Sequence, residues 1–298
     1  MSRAIFEDRA ISRYDEIFQE ILNLALNRFR WENLPNGLTS EQLELLLISK
    51  GQLMFFEDEN LGFLILPAYK SNDINIYGLS NSYNIYAENG KYNKTIELET
   101  YEENEKIING VLIKNNHIAS PQINNLQIFA KRIDDIEMTQ DVNLFQQCIP
   151  KLILADEDTK LTAKSIIEKI TKFKFVIFGK KSLMNNIGSD VLDTSAPYVL
   201  DKLQEYKTEV KNELLTLLGI NNNNNIKKER MITDEVNANN DYINTNIDLM
   251  FEMREKACKL INENFPIYKK LYGEIKVRKK EVEKNGYAHD DFGRNGRE

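Results

Sequence analysis

The chain has 298 residues and a formal charge of −7, and its 42% hydrophobic and 29% charged residues are a globular balance, not a disordered one. The length allows one large domain or two ordinary ones with a real core. The acidic total argues against a conventional DNA-binding protein, whose basic face would show in the sum. No apolar run approaches the roughly 20 residues that cross a bilayer, and the start, MSRAIFEDRA, is not a signal peptide. Cys148 and Cys258 lie in apolar helical surroundings, which fits buried free thiols in a reducing cytoplasm.

Residues 1–12 are polar and read as a frayed end. A helix is expected over Arg13–Trp31 from the spacing of Ile17, Ile21, Leu24, Ala25 and Phe29. Proline and glycine in Glu32–Gly37 break it. Thr39 and Ser40 precede the run LELLLI, so a second helix through Leu47, capped by Ser40, is predicted. From Gly51 to Lys114 the period changes to short β-rich runs: GQLMFFED, GFLILPAY, INIYGL, YNIYAE, KTIELET and GVLIKNN. Turn signals separate them, and Asn89-Gly90 reads as a two-residue hairpin turn. Such a series predicts a small barrel or curled sheet. Tyr77, Tyr83, Tyr86, Tyr92 and Tyr101 read as half-buried sheet residues in preference to a base-stacking surface.

NNHIASP ends the β region, and an amphipathic helix follows through Leu126, Phe129, Ile133, Ile136, Val142, Phe145 and Ile149. Its apolar stripe slips near Thr139–Gln140, which predicts a kink or a change of neighbour. Residues 151–192 then read as a compact β-α-β insert: strand KLILAD, helix LTAKSIIEKITK, strand FKFVIFG. This insert is too small to fold alone. It becomes stable as a subdomain of a monomer or by adding its strands to those of neighbouring subunits.

The stretch Asp193–Val236 holds a second long helix, an abrupt stop and a polar loop. Pro197 sits where a first-turn proline belongs, with Thr194 or Ser195 as cap. Val199, Leu203, Tyr206, Val210, Leu214 and Leu217 form the apolar stripe; the other face mixes Asp201, Lys202, Glu205, Lys207, Glu209, Lys211 and Glu213. Gly219 ends the helix by admitting a left-handed residue. The run Asn221, Asn222, Asn223, Asn224, Asn225 is too polar to bury, and Lys227, Lys228 and Arg230 follow it closely. Asn246–Asn264 reads as another helix, Tyr268–Val282 as a helix turning into a strand, and 283–298 as a disordered tail.

Catalytic chemistry is not legible. FKFVIFGKKS ends in a Gly-Lys-Lys-Ser that resembles part of a phosphate-binding loop. The earlier glycine which that loop requires is replaced by Lys174, inside a strand. Two histidines, His117 and His289, offer no metal-ligand spacing. The sequence therefore reads as a non-enzyme with no cofactor and no metal.

TSAPYVLDKL (Thr194–Leu203), LGINNNNNIKKERMITDEV (Leu218–Val236) and WENLP (Trp31–Pro35) resemble motifs of the portal proteins, also called upper collar or head–tail connector proteins, of small short-tailed bacteriophages of Gram-positive hosts. The order of elements also matches, from about residue 12 to about residue 280. The resemblance implies an α+β portal fold assembled as a homo-dodecamer ring at one capsid vertex. In it, 1–120 is an N-terminal wing with helices and a small SH3-like β-barrel, and 121–150 and 193–219 are stem helices. The clip is 151–192, the channel loop 220–239 and the C-terminal wing helices 240–282. It further implies a channel for packaging and ejecting double-stranded viral DNA, with Lys202, Lys227, Lys228 and Arg230 as DNA contacts. An acidic wall suits that task, because it repels phosphate and leaves a few cations to hold the duplex. The implied partners are the major capsid protein, a separate packaging ATPase, the lower collar or tail connector protein and a scaffold protein. The location is the virion at the head–tail junction, after assembly in the host cytoplasm. A packaging RNA stays open, because the first twenty residues lack the strongly basic character of some relatives. The alternative is a monomeric or small-oligomer nucleic-acid adaptor using the β region and its tyrosines, with steep salt dependence.

Overall fold

The computed structural model describes residues 2–35, 37–102, 105–148, 197–222 and 233–280. The chain forms two units, one of Met1–Ile21 with Asn125–Leu215 and one of Leu22–Asn124 with Thr216–Glu298. We call them the helix-pair unit and the sheet unit. The described elements in order are α1 (Ser2–Leu26), β1 (Phe29–Glu32), α2 (Ser40–Lys50), β2 (Gln52–Asp58), β3 (Gly62–Lys70), β4 (Ser82–Tyr86), β5 (Asn93–Glu97), β6 (Glu99–Glu102), β7 (Glu105–Ile108) and β8 (Gly110–Lys114). They continue with α3 (Ile123–Cys148), α4 (Leu200–Leu218), α5 (Thr233–Asn264), α6 (Pro266–Tyr272) and β9 (Lys276–Lys279). The fold is thus mixed helix and antiparallel sheet, as expected.

In the sheet unit, five strands pair antiparallel in the order β5-β4-β3-β2-β8. β2 is covered on both faces, which explains its unbroken apolar run LMFF. Alternate residues serve two clusters. Leu53 and Phe55 join Leu43, Phe63, Ile261, Phe265 and Tyr268 on the helix side, while Met54 and Phe56 join Ala68, Tyr83, Ile85 and Ile96 on the other. Phe55 makes edge-to-face contacts with Phe265 and Tyr268, at centroid distances of 5.0 and 4.9 Å. A separate ribbon pairs β1 with β9, from Phe29 opposite Lys279 to Glu32 opposite Lys276.

Several local expectations are corrected. Residues 2–12 are helical, and the first helix ends at Leu26, so Phe29–Trp31 leaves it for a strand. The cap of α2 is Thr39, not Ser40: Gln42 N donates to Thr39 Oγ1 at 3.2 Å and the Gln42 side chain answers Thr39 N at 3.1 Å. Ser40 instead accepts from the Trp31 backbone at 3.0 Å. INIYGL is an ordered turn, held by Asn75, and not a strand. KTIELET is divided between β5 and β6, and β7 was not foreseen. Asn89-Gly90 lies in a six-residue connection, 87–92, and not in a two-residue hairpin. The tyrosines also differ among themselves. Tyr83 is buried and Tyr92 donates to Asp58 at 2.7 Å, whereas Tyr77 and Tyr101 stand in solvent.

In the helix-pair unit, α3 buries Leu126, Ala130, Ile133 and Ile136, and α4 buries Val210 and Leu214. The slip near Thr139 is real. Val142 is exposed, buried Asn143 takes its place, and the Thr139 hydroxyl donates back to the Asp135 carbonyl at 2.7 Å. The helix nevertheless continues to Cys148.

Candidate nucleic-acid interface

The sequence points to the second long helix and the loop after it, so this region is built first. Pro197–Val199 is not helical, and α4 begins at Leu200, three residues later than expected. Asn143 organises this start from α3: its amide nitrogen donates to the Pro197 carbonyl at 3.0 Å, and its oxygen accepts from Val199 N at 3.4 Å. Thr194 and Ser195 lie outside the described residues.

Polar links tie α3 to α4 along their length. Arg132 donates to Glu213 at 3.0 Å and to the Tyr206 hydroxyl at 3.2 Å; Lys207 meets Glu137 at 2.7 Å; Gln140 meets Gln204 at 3.3 Å. As α3 numbers rise their α4 partners fall, so the helices run antiparallel. Arg13 of α1 joins them, with Asp134 at 2.7 Å and Asp141 at 2.9 Å. Burial opposes the charge of Arg13, but these carboxylates outweigh it and raise its pKa. Lys202 stands exposed on the first turn of α4. The exposed charges around it are mixed and mainly acidic, which leaves such a surface weakly attractive to phosphate.

In the sheet unit, the end of α4 that leads into the asparagine run is tightly built. Gly219 has φ +71°, the left-handed conformation expected of it, and its N–H donates to the Thr216 carbonyl at 3.1 Å. A Cβ there would come within 2.5 Å of Ile247 Cβ. Asn246 donates to the Thr216 carbonyl at 2.8 Å, and Asn222 donates to the Thr216 hydroxyl at 2.8 Å. Arg28 donates to the Leu218 carbonyl at 3.5 Å and to Gln122 at 3.0 Å. Burial, reinforced by the like charge of Arg254, pushes the Arg28 guanidinium down to about 9.

Of the expected contacts, Lys202, Asn221 and Asn222 are described. Asn223, Asn224, Asn225, Lys227, Lys228 and Arg230 lie outside the described residues, as do the insert 151–192 and the tail 283–298. The basic residues of β9 and the one after it are engaged within the sheet unit: Lys276 with Glu274, Arg278 with Glu32, Lys279 with Asp248, and Lys280 with Asn27. Cys258 is buried as expected, and burial pushes its thiol up to about 12. The Cys148 side chain is outside the described set. Among the described residues no acidic, histidine or cysteine cluster could hold a metal, and no helix is long and apolar enough to cross a membrane.

The motif WENLP proves to be a structural anchor. Trp31 is buried and its indole donates to Glu44 at 2.7 Å; Glu44 in turn receives two bonds from Arg254, both at 2.8 Å. Arg254 also donates to the carbonyl and side-chain oxygens of Asn115, each at 3.0 Å, and lies over the Phe29 ring at 4.3 Å. Burial alone would raise the Glu44 carboxyl, but the Arg254 charge and the two donors outweigh it and hold it below the ordinary value. Sequence reasoning missed Arg28, Glu44 and Arg254. No local pattern separates a charged residue inside a helix run from one on its surface.

These features define an α+β protein with paired helices and a packed sheet unit. Residues 5–281 match the family described as Phage Connector (GP10), and the chain belongs to that family. It is a bacteriophage portal, the connector between head and tail, and so a structural protein of the virion. A solved structure described as "Portal and tail of native bacteriophage P68" is similar at 17% identity, with a TM-score of 0.42, over 88% of this chain and 87% of that one.

Proposed function

We propose that copies of this chain assemble into a ring, a homo-dodecamer, at one capsid vertex, and that double-stranded viral DNA enters and leaves through its lumen. The observation that supports this most is the family match across residues 5–281. In this reading 1–120 and 240–282 form the wing, with the strands as its SH3-like part. Residues 121–150 and 193–219 are the stem, 151–192 the clip, and 220–232 the channel loop, since α5 takes the positions from Thr233 onward that the sequence assigns to the loop. The clip meets the packaging ATPase and then the lower collar or tail connector protein, while the wing meets the major capsid protein. A scaffold protein assists assembly. The chain itself hydrolyses nothing.

Lys227, Lys228 and Arg230, with Lys202 as a further ring of charge, make transient phosphate contacts that resist backward slipping of packaged DNA. The described root of the loop supports this, since Gly219, Thr216, Asn246 and Arg28 fix where the loop leaves the sheet unit. Each loop cation is multiplied by the number of subunits, so a few lysines become a belt in an otherwise acidic assembly. The test is to package DNA into particles carrying Lys227→Ala and Lys228→Ala. Assembly should be intact and DNA retention impaired; normal retention sinks the loop assignment. The ring itself is tested by native mass measurement and imaging of the full-length protein, where a monomer at all concentrations would count against it.

A further inference from the structure

The connection from β3 to β4, residues 71–81, is an ordered turn that holds apolar side chains out in solvent. The Asn75 side-chain oxygen accepts from the N–H groups of Tyr77 and Leu79 at 2.9 and 3.0 Å, and the Asn75 N–H donates to the Leu79 carbonyl at 2.8 Å. Ile74 and Ser80 form a β-bridge, and the buried Ser80 hydroxyl donates to the Ser82 carbonyl at 2.8 Å. This frame leaves Ile74 61%, Ile76 92%, Tyr77 79% and Leu79 60% exposed. A contiguous apolar tip held so firmly marks a surface that a partner covers.

The same unit carries a matching recess. A groove of about 520 Å³ lies between β8, the terminal strand of the sheet, and α5. Ile108, Leu112, Met253 and Leu260 line it. Its rim carries Lys106, Lys114 and Lys256 against Glu99 and Glu263, one more cation than anion. The tip carries the opposite sign, because exposed Asp73 is the only charged side chain in 71–81. The tip does not fill the groove of its own chain, as the exposure of its side chains shows.

Resting on the ring reading above, we propose that the Ile74–Leu79 tip of one copy seats in the β8–α5 groove of the next. Each copy then offers one donor surface and one acceptor surface. That is the condition for a head-to-tail interface, which closes into a ring when the rotation between copies allows. A capsid partner would account for the tip or for the groove, whereas a second copy accounts for both.

The test uses the full-length chain and two folded-state controls, Trp31 fluorescence and circular dichroism. Ile76→Asp with Tyr77→Asp alters only exposed side chains, so the monomer should keep its fold. The protein concentration for half-assembly should rise about a hundredfold or more. Leu260→Asp in the groove should do the same. Mixing the tip variant with the groove variant restores one intact interface per pair, so mixed dimers should form and nothing larger. In a chain with Cys148→Ser and Cys258→Ala, cysteines placed at Ile76 and Leu260 should give a ladder of disulfide-linked oligomers on oxidation. Variants that form rings as wild type does, with no cross-linked ladder, overturn the tip-and-groove contact and leave the ring reading standing. A tip variant that forms normal rings but fails to enter capsids also overturns it, and assigns the tip to the capsid protein. A wild-type chain that stays monomeric at every concentration overturns the ring reading and this contact with it.

Discussion

The ion pair that joins α3 to α4 and the one at the centre of the sheet unit stand in opposite settings. Between α3 and α4, Arg132 and Glu213 meet with side chains 37% and 57% exposed, whereas in the sheet unit Arg254 and Glu44 meet at 0% and 0%. Exposed pairs are screened by salt and replaced by water when they part, so they steer helix alignment at little energetic stake. A buried pair has no water to fall back on. Every lone pair and proton of Glu44 and Arg254 needs its partner among Trp31, Asn115 and the Met250 carbonyl. The difference indicates which half of the molecule tolerates change. The helices α3 and α4 can exchange such exposed charges, while the sheet unit depends on the buried Glu44–Arg254 pair and its partners.

The sharpest break in this contrast is Glu44→Ala, which strands the Arg254 guanidinium without water. It should cost the sheet unit about 3–5 kcal/mol, read from denaturant unfolding followed by Trp31 fluorescence. The protein has one tryptophan, so this signal reports the sheet unit alone. A loss below about 1 kcal/mol would mean that water reaches the pair. Next comes Gly219→Ala, which combines a left-handed φ with overlap against Ile247 and should cost about 2 kcal/mol. Amide exchange should then quicken first around Thr216, at the loop root.

Acid provides a third test. The folded Glu44 carboxyl titrates below its ordinary 4.5, so its stabilisation is complete above that value and is lost as pH falls through the folded value. Trp31 fluorescence should therefore show an acid limb that begins below pH 4.5, and Glu44→Gln should flatten it. The smallest effect belongs to Arg132→Ala in the helix-pair unit, about 1 kcal/mol or less, shrinking further in high salt. Exchange rates of α3 amides measured at two salt concentrations would check it. An effect unchanged by salt would place Arg132 with the buried charges instead.

Much of this architecture was legible where side chains face one consistent environment. GQLMFFED announced a strand and Gly219 a helix stop, because each depends on nearest neighbours alone, whereas the cover over both faces of β2 was not read. What stayed hidden depends on partners far along the chain. Phe29–Trp31 continues a helical spacing, yet it pairs with residues near 277 and becomes a strand. INIYGL alternates like a strand, but Asn75 captures two backbone amides and turns it. α5 starts at Thr233, well before the apolar spacing begins at Ile247, because its first turns are polar. Glu44 and Arg254 sit in patterns that ordinarily mean solvent. Of the candidate interface, the helix and its stop were readable, whereas the guanidinium of Arg28 beneath the loop root was not.

The ribbon of β1 with β9 joins residues about 250 positions apart. A ribosome delivers β1 about 250 residues before β9, so Phe29 and Trp31 wait through that much synthesis for their strand partner. All of α3 and α4 is made in the interval, as an excursion between the two halves of the sheet unit. Completion of the sheet unit is thereby tied to synthesis as far as Lys279. A nascent or truncated copy ending before Lys276 lacks the closing strand, so the ribbon registers whether the chain has been made that far.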